Sequence, residues 1–165
     1  ASLRMTGKGL RMTGGVAEGQ VGFVHDQEGL FAGEEEILDG AGRLLIHRRS
    51  PHKDIWPSWC DIAVGGVVGA GESYLEAAHR ELAEEVGVSA ATLEELVLGE
   101  SRPYDDDQVS LMARCYVVTS QGPFTFDDGE VVEAWWVHRD GLNDLLRRER
   151  FLPDSLALLL PYIDF

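Results

Sequence analysis

The chain has 165 residues, of which 44% are hydrophobic and 26% charged, as is usual for a soluble globular protein large enough to bury a core. The net charge of −15 argues against a nucleic-acid polymer as partner. No apolar run is long enough to span a membrane, and the first residues lack the apolar region of a signal peptide. The two cysteines, Cys60 and Cys115, are too few for a disulfide framework, so we expect buried free thiols and a cytoplasmic location.

The first part of the chain is predicted to contain strands separated by turns. Residues 1–19 are rich in glycine and polar side chains and are expected to be mobile or peripheral. Hydrophobic runs and turn residues then predict, in order, a short strand over 20–25, a strand end at 34–36 with a turn at 39–40, a strand over 44–49, a loop over 50–59 and a strand over 61–68.

A glycine-rich turn after this strand leads into a predicted helix over 73–86. Ser73 followed by Glu76 forms the sequence pattern of a capping box, which favours a helix start at Ser73. Gly87 suits the left-handed conformation that commonly ends a helix. The apolar residues that recur at helical spacing, and so are predicted to be buried, are Leu75, Ala78, Leu82 and Val86.

The remaining third of the chain is predicted to mix strands with two further helices. The elements expected are strands over 92–98 and 109–119 joined by an acidic loop at 104–107, a turn at 124–129, a strand over 131–137, a helix over 141–150, and a last helix over 156–162 opened by Pro153. Strands without a regular series of crossover helices predict an α/β fold with a mixed β-sheet between helices. No linker divides the chain, so a single domain over 1–165 is expected.

Three glutamates on the predicted helix over 73–86 suggest a metal site. Glu81, Glu84 and Glu85 are spaced i, i+3 and i+4, which places their carboxylates on one helix face. Neighbouring like charges destabilise a helix, whereas a hard cation such as Mg²⁺ or Mn²⁺ would bind them. A merely solvated acidic face is the alternative interpretation.

The full pattern around this helix resembles the Nudix box, G-x5-E-x7-R-E-U-x-E-E-x-G-U, where U is aliphatic. The residues that fill its fixed positions are Gly66, Glu72, Arg80, Glu81, Leu82, Glu84, Glu85, Gly87 and Val88. The resemblance implies a Nudix-type α/β/α sandwich with a mixed sheet. It also implies a hydrolase that cleaves a nucleoside diphosphate linked to X, or another small molecule containing a diphosphate, by attack of water on phosphorus.

The same resemblance implies roles for individual residues. Glu81, Glu84, Glu85 and the main-chain carbonyl of Gly65 would hold Mg²⁺ or Mn²⁺. Either Glu81 or Glu85 would activate the water, with Glu81 the first candidate. Glu130, from a distant loop, is a candidate for a further metal ligand, and an exposed turn carboxylate is its alternative interpretation.

Four other motif residues would support this arrangement. Arg80 would orient Glu81, and Glu72 would pair with Arg80 or hold a water in the outer shell of the metal. Gly66 and Gly87 belong to the motif through the turn before the helix and the stop after it.

Basic residues upstream of the motif are candidate contacts to the substrate phosphates. Arg48, Arg49 and Lys53, followed by Trp56-Pro57, resemble a bacterial Nudix subgroup near isopentenyl-diphosphate isomerase, where such residues contact the diphosphate. Because side chains alternate along a strand, only one of Arg48 and Arg49 is expected to face the site. Solvated strand-end cations are the alternative.

Two other functions agree less well with the sequence than hydrolysis does. The isomerase is disfavoured because its catalytic cysteine and metal-binding histidine correspond to Gly65 and Val67 here. A Nudix-fold ligand-binding or regulatory module without turnover is disfavoured because such proteins usually lose metal-site glutamates. The sequence leaves the group X and a homodimer open. The start of the chain also lacks the Arg-His-Arg segment that is usual in the subgroup.

Overall fold

The structure, a computed structural model, describes residues 3–5, 10–12, 30–89, 93–95 and 100–163. Two short strands, β1 (Leu3–Met5) and β2 (Leu10–Met12), pair with each other antiparallel, outside the main sheet. The main sheet contains β3 (Leu30–Leu38), β4 (Leu44–Arg49), β5 (Cys60–Asp61), β6 (Ala63–Val67), β7 (Leu93–Glu95), β8 (Arg102–Asp105), β9 (Ser110–Thr119) and β10 (Val131–Val137).

Strand β3 is the centre of the main sheet. It pairs parallel with β9 along its whole length and antiparallel with β6 and with the start of β4. All the other pairings are antiparallel, with β10 on β4 and both β7 and β8 on β9. The sheet is therefore mixed, as the sequence predicted.

Helices cover the two faces of this sheet. Helix α1 (Tyr74–Val86) packs on β3 and β6, and α3 (Pro153–Leu159) packs on β3, β8 and β9. Helix α2 (Arg139–Arg148) lies between β10 and α3 in the sequence, and a 3₁₀ turn (Leu160–Tyr162) follows α3. The α/β fold with helices on a mixed sheet agrees with the prediction.

Alternation along β4 separates two apolar cores. Leu44 and Ile46 face the core that includes Leu158 of α3, whereas Leu45 faces the core that includes Leu82 of α1. All of these residues except Leu45 are essentially inaccessible to solvent, and Leu45 is 4% exposed. A strand whose two faces are both buried produces the continuous apolar run seen in the sequence.

Several predicted boundaries needed correction. The predicted strand over 61–68 is two strands, because β5 pairs with β4 and β6 with β3. Tyr104 and Asp105, assigned to a loop, belong to β8 and pair with β9. The glutamates at 34–36 lie within β3 rather than at its end. The predicted strand over 20–25, and the predicted strand over 92–98 apart from β7, lie outside the described residues.

The helix ends also differ from the sequence prediction. Helix α2 starts two residues before the expected Gly141 and ends at Arg148, and α3 starts at Pro153 rather than at 156. Pro153 occupies the first turn of α3, where its missing N–H costs no hydrogen bond. On α1, Leu75 is 46% exposed and Ala77 is buried in its place, which corrects the predicted apolar stripe.

Cys60 and Cys115 are both buried free thiols, as predicted. Burial raises the pKa of Cys60 to about 11 and that of Cys115 to about 12, so both thiols are unreactive near neutral pH. Within the described residues, no helix combines the length and apolar character that crossing a membrane would need.

Candidate functional site

The helix that carries the three motif glutamates begins and ends as its sequence predicts. Ser73 accepts a hydrogen bond from the Glu76 backbone, and the Glu76 carboxylate accepts one from the Ser73 backbone, which completes the capping box. At the other end Gly87 adopts a left-handed φ of 74°. These two ends fix the length of α1 and hence the positions of Glu81, Glu84 and Glu85.

Two glycines in β6 allow the sheet to approach α1 closely. A Cβ at Gly66 would overlap the carboxylate of Glu81, and a Cβ at Gly65 would overlap the carbonyl oxygen of Gly33 on β3. Packing therefore requires glycine at position 65, where the overlap is with backbone, whereas a side chain at position 66 would displace the Glu81 carboxylate. The result places the Glu81 carboxylate directly against the glycine turn.

Arg80 binds the carboxylates on one side of the site. Its guanidinium donates to both oxygens of Glu72 at 3.0 Å and to Glu81 Oε1 at 2.6 Å. It also donates to Glu84 Oε2 at 3.2 Å and to the Val67 carbonyl at 3.0 Å. The hydrogen bonds from Arg80 lower the pKa of Glu72, whereas burial raises the pKa of Glu81 despite the same cation.

Glu85 and Glu130 meet on the other side of the site. Lys53 forms an ion pair with Glu130. Burial acts to raise the pKa of Glu130, but hydrogen bonds from Lys53 and Glu85 and the positive charge of Lys53 outweigh it and lower the pKa. Burial, opposed by Lys53 and reinforced by Glu81 and Glu130, raises the pKa of Glu85 to about 8. The structure thus brings the candidate residue Glu130 beside two motif glutamates.

Glu84 differs from its two neighbours on α1. Its side chain is 60% exposed and contacts Arg80, whereas the side chain of Glu81 is only 13% exposed. Across the described part of the chain, no three His, Cys, Asp or Glu side chains converge closely enough to form a complete metal site. The predicted ligands thus lie in one region without forming a closed cluster, and Glu84 is at its outer edge.

The structure separates the two arginines at the end of β4. Arg48 donates to Glu149 Oε2 and to the Ser58 carbonyl, all at 3.2 Å, and lies over the Trp135 ring. Arg49 lines the cavity beside Glu85, and its buried Nε has no hydrogen-bond partner among the described residues. The Arg48 guanidinium is therefore engaged by Glu149 and Ser58, whereas the Nε of Arg49 has no described partner, and the role of either arginine in phosphate binding stays a prediction.

Four buried acidic residues around the site were not predicted from the sequence. Glu34, Asp61 and Asp154 line the same cavity as Arg49 and Glu85. Glu35 faces α1, is completely buried, and has two side-chain oxygens without a hydrogen-bond partner among the described residues. Burial first, then the charges of Glu81 and Glu85, raise the pKa of Glu35 well above its usual value. The sequence signal that could have revealed such residues is a charged side chain within a strand whose neighbouring residues are apolar.

Asp61 connects the two sides of the cavity. Its Oδ1 accepts hydrogen bonds from Ser155 Oγ at 2.6 Å and from the Ala63 backbone at 3.1 Å. Ser155 lies in the first turn of α3 and Asp61 at the end of β5, so this bond fixes α3 to the sheet beside the cavity. Both residues are at least 95% buried, which makes the contact a structural one.

The comparisons with known proteins agree with this geometry. A family model described as the NUDIX domain matches residues 37–158. The uncharacterised Nudix hydrolase YfcD of Salmonella typhi is 35% identical over 123 residues, which are 74% of this chain and 64% of that protein. The uncharacterised Nudix hydrolase PA4841 of Pseudomonas aeruginosa is 33% identical over 129 residues, 78% of this chain and 74% of that protein. The match therefore spans less than two thirds of the Salmonella protein.

Solved structures show the same fold. DR0079 from Deinococcus radiodurans superposes with a TM-score of 0.67 at 25% identity, covering 80% of this chain and 82% of that one. The NUDIX domain of Shewanella oneidensis NrtR, complexed with ADP ribose, has a TM-score of 0.63 at 19% identity, covering 82% of this chain and 86% of that one. The chain therefore belongs to the Nudix hydrolase family, whose members are generally metal-dependent pyrophosphohydrolases.

Proposed function

We propose that this protein is a Mg²⁺- or Mn²⁺-dependent hydrolase that cleaves the diphosphate of a small molecule by attack of water on phosphorus. The observation that carries the proposal is that Glu81, Glu85 and Glu130 lie near enough to interact electrostatically with one another and with two cations, Lys53 and Arg49. Carboxylates bind the metal in such sites, and cations bind phosphate.

The residues present fit a divalent cation. Three carboxyl groups (Glu81, Glu85 and Glu130) raise one another's electrostatic energy, and the completely buried Glu35 adds oxygens that no described group satisfies. The two positive charges of Lys53 and Arg80 are too few to neutralise these carboxyl groups together with those of Glu72 and Glu84. We propose that Glu81, Glu84, Glu85 and Glu130, with the Gly65 carbonyl, hold the metal, which would stabilise negative charge on the phosphoryl oxygens.

The proton of the attacking water goes to Glu81 or Glu85 in this proposal. Arg80 fixes the orientation of Glu81 through a 2.6 Å hydrogen bond, which supports Glu81 as a positioned acceptor. Glu85 lies instead beside Glu130 and near Lys53. Glu81→Gln and Glu85→Gln distinguish the two, because loss of the base lowers kcat while loss of a metal ligand also raises the metal concentration needed for half-maximal activity.

Phosphate binding is assigned to Arg49 and Lys53. Arg49 presents a planar guanidinium whose Nε has no described partner, and such a group suits two-point contact with a phosphate. Lys53 is close enough to Glu130 and Glu85 to reach a phosphate bound by the same metal. Arg48 has no part in this proposal because its guanidinium is engaged by Glu149 and Ser58.

The test is a hydrolysis screen with purified protein. Nucleotide sugars, dinucleoside polyphosphates, oxidised nucleotides, coenzymes and prenyl diphosphates are incubated with Mg²⁺, with Mn²⁺ or with EDTA. We expect turnover of at least one phosphoanhydride that EDTA and Glu85→Gln abolish and that Asp144→Asn, an exposed carboxylate on α2, leaves unchanged. Binding without any turnover would instead assign the chain to the non-catalytic class.

A further inference from the structure

A small cavity adjoins the candidate metal site. Its volume is about 150 Å³, and Gly65, Gly66 and Glu85 form part of its wall. Pockets that enclose a whole drug-sized ligand are larger, roughly 300–1,000 Å³. This cavity therefore accommodates one ring-sized group of a ligand whose diphosphate lies at the metal site.

One wall of the cavity is acidic and lacks full hydrogen bonding. Glu34 is 9% exposed and forms no hydrogen bond or ion pair with any described residue. Asp154 is 7% exposed, and its Oδ1 accepts a hydrogen bond from the Ser155 backbone at 2.9 Å.

These two carboxyl groups are close enough to interact. Both line the cavity, and the charge of Asp154 acts on Glu34. Burial and Asp61 raise the pKa of Asp154 to about 7. Even if the pair retains one proton, it presents more acceptors than donors. A ligand nitrogen that carries two N–H groups would satisfy both side chains, whereas a carbonyl oxygen would meet their lone pairs.

The rest of the cavity wall favours a planar group. Trp56 lines it together with the apolar residues Ile55 and Leu152. Trp56 has a φ of 46°, which is rare for a large side chain and is found preferentially where function fixes a conformation. Its ring stacks on Trp59, with centroids 6.4 Å apart, so the indole is held rigidly beside the acidic wall.

We infer that this cavity binds an aminated planar ring, such as cytosine or adenine, with the exocyclic amino group donating hydrogen bonds to Glu34 and Asp154. The inference rests on the proposed function, since it identifies the base of the diphosphate substrate's nucleoside as an aminated ring. Arg49, on the same cavity wall, is placed to contact a phosphate of that ligand.

The experiment is titration calorimetry in EDTA with two matched pairs of nucleotides, CMP with UMP and AMP with IMP. Within each pair the amino group is replaced by a carbonyl oxygen. We expect CMP to bind about tenfold or more tightly than UMP, and AMP than IMP, the size of one or two lost hydrogen bonds. Phosphoethanolamine supplies an amino group without a ring and is expected to bind much more weakly than CMP.

Three variants test whether Glu34 and Asp154 produce the preference for CMP and AMP. Glu34→Gln and Asp154→Asn are expected to remove most of the preference for CMP and AMP while leaving UMP binding little changed. Glu36→Gln is the matched control, because Glu36 is a buried glutamate on the same strand that pairs with Arg139 instead of lining the cavity. Thermal melts report whether each variant folds, and the nucleotide pairs decide the outcome even if one variant does not.

Several results would overturn the inference: equal affinity within both pairs, phosphoethanolamine binding as tightly as CMP, a preference that survives both cavity variants, or no measurable binding of any nucleotide. Because binding is measured without metal, the result is independent of hydrolysis. A preference for amino groups with no turnover of any diphosphate would overturn the proposed function alone, and turnover without that preference would overturn the inference alone.

Discussion

Glutamates of the same helix region differ in charge state because their neighbours differ. Glu72 receives two hydrogen bonds from Arg80, which lower its pKa and keep it ionised. Glu85 is largely buried and shares its surroundings with Glu81 and Glu130, so its pKa rises to about 8. In the protein without metal, Glu72 therefore holds Arg80 in place, while Glu85 carries a proton near neutral pH.

The two adjacent arginines of β4 provide a direct test of phosphate binding. We expect Arg49→Ala to raise KM or lower kcat/KM by roughly 10- to 150-fold, the value of one charge-assisted hydrogen bond. Arg48→Ala should change KM by no more than about twofold and act on stability instead, because Arg48 packs on Trp135 and pairs with Glu149. Steady-state kinetics on the substrate found by the screen would measure both.

A melt of each arginine variant serves as the control. If Arg48→Ala raises KM as much as Arg49→Ala while both remain folded, the assignment of Arg49 as the phosphate contact is wrong. If Arg49→Ala alone changes KM and also lowers kcat, the contact strengthens as charge develops on the phosphate in the transition state.

The buried Asp154 predicts a pH-dependent stability. Its pKa rises from 3.8 to about 7, chiefly through burial and Asp61. Above the lower value the unfolded chain releases this proton while the folded protein keeps it, so the free energy of unfolding falls as pH increases from about 4 to about 7. Asp154→Asn removes that cost, and we expect it to raise the Tm at pH 8 by more than at pH 5.

Calorimetric melts at both pH values would measure this difference. Glu36→Gln, on the α3 side of β3, serves for comparison because it removes a different buried carboxyl whose partner is Arg139. An Asp154→Asn variant with the same Tm increment at pH 5 and pH 8, or with a lower Tm at pH 8, would show that Asp154 is not a destabilising charge. The same variant is expected to lose nucleotide preference, an exchange of stability for function.

At the scale of the element, α1 positions the site because both of its ends are fixed. Its C-terminal residue Gly87 has a φ of 74°, and a Cβ there would overlap Thr125 Oγ1. Gly129 also has a φ of 74°, but a Cβ there would meet nothing within 4 Å. We expect Gly129→Ala to cost about 1–2 kcal/mol for the left-handed conformation alone, and Gly87→Ala to cost more.

Urea unfolding of the two alanine variants would separate conformational strain from the clash. If Gly87→Ala and Gly129→Ala cost the same free energy of unfolding, Thr125 yields without penalty and packing does not constrain the end of α1. A larger cost at Gly87, partly recovered in a double variant with Thr125→Gly, would show that this loop fixes where the helix ends.

Local chemistry made α1 predictable and left β3 unclear. The capping box at Ser73 and the glycine stop at Gly87 depend only on neighbouring residues, and both appear as expected. The motif spacing likewise gave Glu81 and Glu85 their common face. By contrast, three consecutive glutamates inside a central strand contradict the usual apolar pattern, so neither the centre of β3 nor the cavity position of Glu34 followed from the sequence. Glu130 reaches Lys53 across 77 residues, a contact that only the tertiary fold determines.

At the scale of the whole molecule, charge is unevenly distributed. The chain carries 29 acidic and 14 basic residues, and the site adds several acids within the sheet and along α1. Self-repulsion destabilises a compact protein with such a net charge. Monovalent salt relieves exposed repulsion by screening but has less effect on buried pairs. A divalent cation held by the site carboxylates would therefore stabilise the fold beyond the effect of ionic strength.

The different effects of monovalent salt and of a bound divalent cation on stability can be measured. We expect Mn²⁺ or Mg²⁺ to raise the Tm above that measured in EDTA with NaCl at equal ionic strength. At 100 times the Kd the gain would be about 2.7 kcal/mol, or about 5–10 °C at roughly 2–4 °C per kcal/mol for a chain of this size. Glu85→Gln should abolish most of this excess, whereas Asp144→Asn on exposed α2 should keep it. Scanning calorimetry of the three proteins measures the shift without any substrate. Equal Tm shifts in NaCl and Mn²⁺, or an undiminished Mn²⁺ shift in Glu85→Gln, would show that the cation binds elsewhere or does not bind to the protein.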